Sequence, residues 1–258
     1  MLVTVLASGA AWAAYIECPT GTEGLCEGTE FGDDLYGTAD PDTMNGDAGE
    51  DYVYGNSAAD TMNGDAGDDY LSGDYDNDPA GTGDTMNGGT GNDWIYGNVG
   101  NDNIHGNKGN EWWIAGGEGE DIMYGDAGDD DLSGDAGNDT IYGGAGYDEI
   151  YGDEGNDQAY GEAGIDTLYG DTGDDTLEGG GALDELDGGD GADILSGGSG
   201  NDYIESGYSD QEVDRVNCGP GKDTVYREMR YDRVAKNCER VYGGGIVRQA
   251  KLRTRAGV

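Results

Sequence analysis

The chain has 258 residues, of which 56 are Asp or Glu and only 12 are Lys or Arg, giving a formal net charge of −44. Such a charge opposes approach to any polyanion and excludes nucleic acid as a partner over most of the surface. With 53 glycines and 34% hydrophobic residues, the composition also excludes a thick conventional core, and stripped of its order it matches the signature of a disordered acidic chain.

Residues 1–14 are apolar from Leu2 to Ala14 and end in Ala11-Trp12-Ala13, which fits a signal peptidase site even though no basic residue precedes the apolar stretch. A signal peptide cleaved after Ala13 or Ala14 is expected. The alternative is a buried first strand. The segment is too short for a transmembrane span, and none is expected elsewhere. Residues 15–27, with Cys18 and Cys26, are expected to form an N-terminal cap.

From Gly28 to Glu205 one nine-residue unit repeats in tandem. Gly88-Gly89-Thr90-Gly91-Asn92-Asp93-Trp94-Ile95-Tyr96 shows it complete. Register is set by an acid at the sixth position and an aliphatic residue at the eighth, two chemistries that stay in phase through nineteen units. The acids begin with Asp33, Asp42, Asp51, Asp60, Asp69, Asp84, Asp93 and Asp102, followed by Glu111. They continue as Asp121, Asp130, Asp139, Asp148, Asp157, Asp166, Asp175, Asp184, Asp193 and Asp202. Seven residues are supernumerary, six within 73–87 and one within 106–115. The stretch 116–178 has none, so its geometry is expected to be the most regular.

The triplet of residues around the aliphatic position is too short for a helix. It suits a short strand whose middle residue points to one face and whose flanks point to the other. The six glycine-rich residues before it suit a tight turn, because glycine reaches positive φ without steric cost and lets carbonyls converge. Calcium takes six to eight hard oxygen ligands from carboxylates and carbonyls, and the turn supplies both. One turn cannot close that sphere. If two units make one coil, unit n lies beneath unit n+2, and an ion bridges neighbouring turns: Asp121, Asp139, Asp157 and Asp175 on one edge, Asp130, Asp148 and Asp166 on the other. Phe31, Asp40, Ala58, Thr82 and Ala182 replace the fourth-position glycine, so the turns at 28–45, 55–63, 73–87 and 179–187 are expected to be poorly loaded or empty. The expected ligands are therefore Asp51, Asp69, Asp93, Asp102, Asp121, Asp130, Asp139, Asp148, Asp157, Asp166, Asp175, Asp193 and Asp202. Within the insertion, Asp74-Tyr-Asp76-Asn-Asp78 echoes the start of an EF-hand loop, but Pro79 stands where that loop needs Gly and Thr85 where it needs Glu.

Beyond Glu205 the composition shifts. Of the 56 acids 52 precede Arg215, against only Lys108 of the 12 bases. Residues 206–242 carry worn units at Asp214-Arg215-Val216 and Asp223-Thr224-Val225, then Asp232-Arg233-Val234 and Glu239-Arg240-Val241 with ionic pairs available where calcium would be, read as degenerate repeats and a C-terminal cap. Residues 243–258 form a basic tail, expected to be solvated or docked on the acidic body; binding of nucleic acid or anionic lipid is the lesser alternative, opposed by the net charge elsewhere. Because a solenoid separates its ends, Cys18 is expected to pair with Cys26 and Cys218 with Cys238. The rival zinc site finds only His105, and no Cys-x-x-Cys. Disulfides place the protein in an oxidising compartment, secreted and extracellular or on the cell surface.

The repeat resembles the hemolysin-type calcium-binding, or RTX, family over residues 28–205. The resemblance implies an all-β fold, a right-handed parallel β-roll with two repeats per coil, capped ends and calcium ions in rows along both edges. With the low affinities usual for extracellular calcium modules, roughly 10⁻⁴–10⁻³ M, the chain is expected to fold on meeting extracellular calcium and to serve a structural or adhesive role at a cell surface or matrix. The alternative is a surface, carbohydrate or ice binder using an outer face, where Tyr142 and Tyr160 share one face and Tyr151 and Tyr169 the other. Threonines at position seven, such as Thr140 and Thr167, recur too intermittently for a regular ice-binding plane. His105 is expected to point outward as plain surface, and Trp112 and Trp113 to mark a bulge. No His-Glu-x-x-His, Gly-x-Ser-x-Gly or phosphate-cradling loop occurs, so no enzyme is expected.

Overall fold

The computed structural model describes residues 14–20, 24–74, 81–207, 212–227 and 232–243. Among them lie twenty-five short strands, from β1 (Tyr15–Glu17) to β25 (Arg240–Gly243), and no helix. The odd-numbered strands form a 13-stranded sheet and the even-numbered strands a 12-stranded one. Each strand pairs in parallel with the next but one. Two nine-residue units therefore make one coil, and the whole is a β-solenoid of about 12 turns.

Strand alternation builds the core. Each triplet turns its middle residue inward and its flanks outward, giving one column of Leu35, Val53, Leu71, Ile95, Ile114, Leu132, Ile150, Leu168, Leu186 and Ile204. The facing column is Met44, Met62, Met86, Ile104, Met123, Ile141, Ala159, Leu177 and Leu195. All of these are fully buried. The core is thus one side chain deep on each sheet, which is how a chain with so few apolar residues folds at all.

In the stretch free of insertions the register advances by 18 residues per coil, as in Tyr124↔Tyr142 and Tyr142↔Tyr160. The insertions fall where the sequence places them: Thr61 pairs with Thr85, and Asn103 with Ile122. At the latter slip Trp112 lies outside the strands and is 54% exposed, while Trp113 rejoins the register opposite Trp94. The extra residue is pushed outward so that Ile114 keeps its inward place.

The coil continues past both ends of the clear repeat. Strands β1 and β2 (Gly24–Thr29) pair with β3 (Asp34–Tyr36) and β4 (Asp42–Asp47), so both sheets extend ahead of the first clear unit. Cys18 is bridged to Cys26 and Cys218 to Cys238. At the C-terminal end Val216 and Val225 are still buried, whereas Val241 is 40% exposed. Within the described residues of this end the repeat's backbone contact persists. The Asp223 N–H donates to Glu239 Oε2 at 2.9 Å, a contact of the same kind as those inside the repeat. The signal segment 1–13, Asp76 and Asp78, and the tail beyond Gly243 lie outside the described residues.

Candidate metal centre

In the unit from Gly134 to Tyr142, glycine is required at two points. A Cβ on Gly137, at the fourth position, would lie 1.4 Å from the carbonyl oxygen of Gly119 one coil away, so no side chain fits. A Cβ on Gly134, at the first position, would lie 2.6 Å from Asp139 Oδ2 and 2.7 Å from the Gly152 oxygen. The space a side chain would fill is a cradle walled by oxygen atoms. Between them Asp135 takes φ 65°, a left-handed conformation tolerated best by Gly, Asn and Asp, which explains the second-position preference for those residues.

The sixth-position side chain divides its oxygens. Asp139 Oδ1 accepts the backbone N–H of Asp121 in the preceding coil, at 2.7 Å, and the Asp139 N–H donates to Asp157 Oδ1 at 2.8 Å. The same bond recurs along both edges. One ladder links Asp33, Asp51, Asp69 and Asp93, and resumes through Asp130, Asp148, Asp166, Asp184, Asp202 and Asp223. The other links Asp42, Asp60, Asp84, Asp102, Asp121, Asp139, Asp157, Asp175, Asp193 and Asp214. Fifth-position residues bond in the opposite sense: the Asn156 N–H donates to Asn138 Oδ1 and the Asp174 N–H to Asn156 Oδ1. Each coil is thereby tied to its neighbours in both directions.

Oδ2 is left over. In Asp51, Asp69, Asp93, Asp102, Asp121, Asp130, Asp139, Asp148, Asp157, Asp166, Asp175 and Asp202 it is buried with no hydrogen-bond donor. Asp193 occupies the same rung. A buried carboxylate oxygen without a partner is strongly unfavourable, and burial raises the proton affinity of most of these aspartates. It pushes Asp121, Asp157 and Asp166 up to about 6, Asp139 and Asp148 to about 7, and Asp175 to about 8, opposed in part by the ladder N–H. For Asp139, Asp148 and Asp175, the neighbouring carboxylates along the same edge add to the rise. Rows of buried, donorless carboxylate oxygens beside backbone carbonyls are the donor set of a hard cation, and the residues present fit calcium.

The division among turns differs from the one drawn by the fourth-position glycine. Ala58 and Ala182 take φ 83° and 87°, and Oδ2 of Asp60, Asp84 and Asp184 lacks a donor just as in regular turns. The turns that differ are the first two. There the N–H groups of Thr29 and Thr38 donate to Oδ2 of Asp33 and Asp42, each at 2.6 Å. The cue was the second position: β-branched Thr resists positive φ, and its N–H closes the turn on its own carboxylate. Glu111, one methylene longer, leaves both its oxygens without a donor, and burial together with Asp130 raises its proton affinity.

On the outer faces the ninth-position tyrosines stack. Tyr124, Tyr142 and Tyr160 run along one sheet, and Tyr151 stacks with Tyr169 on the other. His105 extends the first stack, 4.3 Å from Tyr124, with Nδ1 3.1 Å from Asp126 Oδ2. It points outward but is a member of the ladder, which its position directly before a run of ninth-position tyrosines signalled.

Six segments, residues 27–62, 54–78, 80–110, 113–141, 133–168 and 169–204, match the family profile of the RTX calcium-binding nonapeptide repeat. They span well over half of the chain. No curated protein matches it.

Proposed function

Since the chain belongs to the RTX calcium-binding nonapeptide-repeat family, we propose that it is a secreted protein whose roll closes when calcium fills the turns along both edges, and that the closed roll serves as a structural or adhesive module. The observation that carries this reading is the row of buried carboxylate oxygens left without donors in successive coils. Asp51, Asp69, Asp93, Asp102, Asp121, Asp130, Asp139, Asp148, Asp157, Asp166, Asp175, Asp193 and Asp202 would hold the ions, with turn carbonyls completing each sphere. Calcium supplies positive charge where like charges otherwise stack. The chain's own part is to fix one oxygen of each Asp on the neighbouring backbone, which aims the other into the cradle, and to hold that cradle open with glycine. Binding free energy thereby becomes folding free energy. Two disulfide bridges support an oxidising compartment, where calcium exceeds the roughly 10⁻⁴–10⁻³ M affinity range of extracellular modules. The repeat roll is a structural calcium-binding fold, and a non-catalytic role is part of this proposal.

A sugar- or surface-binding outer face is the second reading. The Tyr124, Tyr142 and Tyr160 rings are near-parallel with centroids 4.9–5.0 Å apart, so their faces are spent on one another and their edges face solvent. That geometry stabilises adjacent strands and favours the structural role.

The test is a calcium titration followed by far-UV circular dichroism, with magnesium as control. A cooperative gain of β signal near roughly 10⁻⁴–10⁻³ M calcium, absent with magnesium, is expected. A β signal already complete in chelator at neutral pH would sink calcium-driven closure.

A further inference from the structure

Second-position acids of the regular turns stand at the surface. Asp47, Asp65, Asp135 and Asp171 are exposed, Asp126 and Asp153 half-buried, and all six have φ between 64° and 75°. Asp74 holds the same place at the end of β7 (Tyr70–Asp74), opposite Asn56, yet is fully buried. Thr82 Oγ1, across the insertion, donates to Asp74 Oδ2 at 3.3 Å. One carboxylate oxygen of Asp74 lies within 4.8 Å of one from Asp60 and one from Asp84, which are themselves within 4.8 Å of each other. Among the described residues no other group of three acids converges in this way.

Two further observations point to a ligand. Asp60 and Asp84 are only 2% exposed, and Oδ2 of each has no donor. Their other oxygens are occupied by the ladder, Asp84 Oδ1 by the Asp60 N–H at 2.8 Å and Asp60 Oδ1 by the Asp42 N–H at 2.7 Å. Beside them, the position a Cβ would take on Gly73 lies 2.4 Å from Asp84 Oδ2 and 2.5 Å from the Gly97 carbonyl oxygen, so a backbone oxygen joins the group. No lysine or arginine forms an ion pair with Asp60 or Asp84 among the described residues.

We propose that Asp60, Asp74 and Asp84 form a separate cation site that takes calcium more tightly than the regular turns, because a third buried carboxylate from the second position joins the two sixth-position acids. Affinity in oxygen-donor calcium sites rises with the number of charged ligands, and a regular turn brings in sixth-position acids alone. The insertion at 73–87 therefore replaces an ordinary turn with a stronger one rather than an empty one. A site that fills first would seed closure in the N-terminal half of the roll. The inference deepens the calcium reading of the repeat and shares its view of the sixth-position acids, but it stands or falls on Asp74.

The test is equilibrium dialysis with radioactive calcium on the wild-type chain, Asp74→Asn and Asp65→Asn, the last removing an exposed second-position acid of a regular turn. Wild type and Asp65→Asn are expected to hold a single ion at micromolar free calcium, below the range in which regular turns fill. In Asp74→Asn that ion is weakened by about tenfold or more, while the β signal at millimolar calcium matches wild type. A wild-type isotherm with one uniform class of sites overturns the inference without any variant, and so does an unchanged first ion in Asp74→Asn. Retention of the first ion alone, with no further binding at millimolar calcium, supports this site and overturns the wider reading. Absence of all binding overturns both.

Discussion

Asp139 Oδ1 is held by the Asp121 N–H while Oδ2 faces the glycine cradle, so two substitutions separate its two tasks. Asp139→Asn retains an oxygen for the ladder and removes the charge from the cradle. Its coil in chelator near pH 5 should be at least as stable as wild type, since no charge need be buried, whereas the stabilisation added by calcium should fall. Asp139→Ala removes the ladder bond as well and leaves the Asp121 N–H without its partner, a loss of about 1–3 kcal/mol that should appear in chelator too. Urea titrations of both variants with and without calcium check the distinction. Equal behaviour of Asn and Ala would mean that the ladder bond contributes nothing.

The strands are held by one inward side chain each, which makes every aliphatic position matter to its own coil. Ile141→Ala should destabilise by about 2–5 kcal/mol. Because a solenoid unit touches only its neighbours, hydrogen exchange should rise in β12 (Ile122–Ala127), β14 (Thr140–Gly146) and β16 (Gln158–Gly164) and stay unchanged near Leu35 and Leu195. Uniform loss of protection along the chain would contradict nearest-neighbour coupling. The inward column was legible in the sequence because period two within a triplet and period nine between triplets admit only one face for Ile141, Ala159 and Leu177. The stacking of Tyr142 on Tyr160 followed from the same period. The split use of the two Asp oxygens was not legible, since residue type does not tell which oxygen a backbone N–H from another coil will occupy. Nor was the burial of Asp74, because an insertion breaks the register by which an inward or outward direction is read. Thr29 and Thr38 did carry a signal, at a position where attention falls on glycine.

The molecule as a whole concentrates like charges, and its dependence on pH follows. The ordinary aspartate value is 3.8, and burial raises Asp51, Asp93 and Asp121 to about 6, Asp60, Asp69 and Asp102 to about 7 and Asp84 to about 8. These groups hold protons more tightly in the coil than in the open chain. Their contribution to folding is fully present below about pH 4 and is lost as pH rises through 6 to 8. In chelator the β signal should therefore be gained on acidification and lost toward pH 8, a trend that calcium abolishes by replacing the proton. A chelator β signal that increases with pH would refute the sign. At low pH, calcium affinity should fall for the same reason.

The bridge between Cys218 and Cys238 also decides how the molecule bears tension. When the chain is pulled from its last residues, the load enters at Cys238 and passes through sulfur to Cys218, bypassing the segment between them. Upstream, each coil of 18 residues is fastened only to the coils beside it. The roll should therefore come apart as a thread leaves a spool, lengthening by about 55 Å per coil released. Optical tweezers would register these steps in calcium, with a reductant adding the slack of the bridged loop. A calcium-loaded roll then acts as an extensible tether whose ratchet is set by the ion concentration around it.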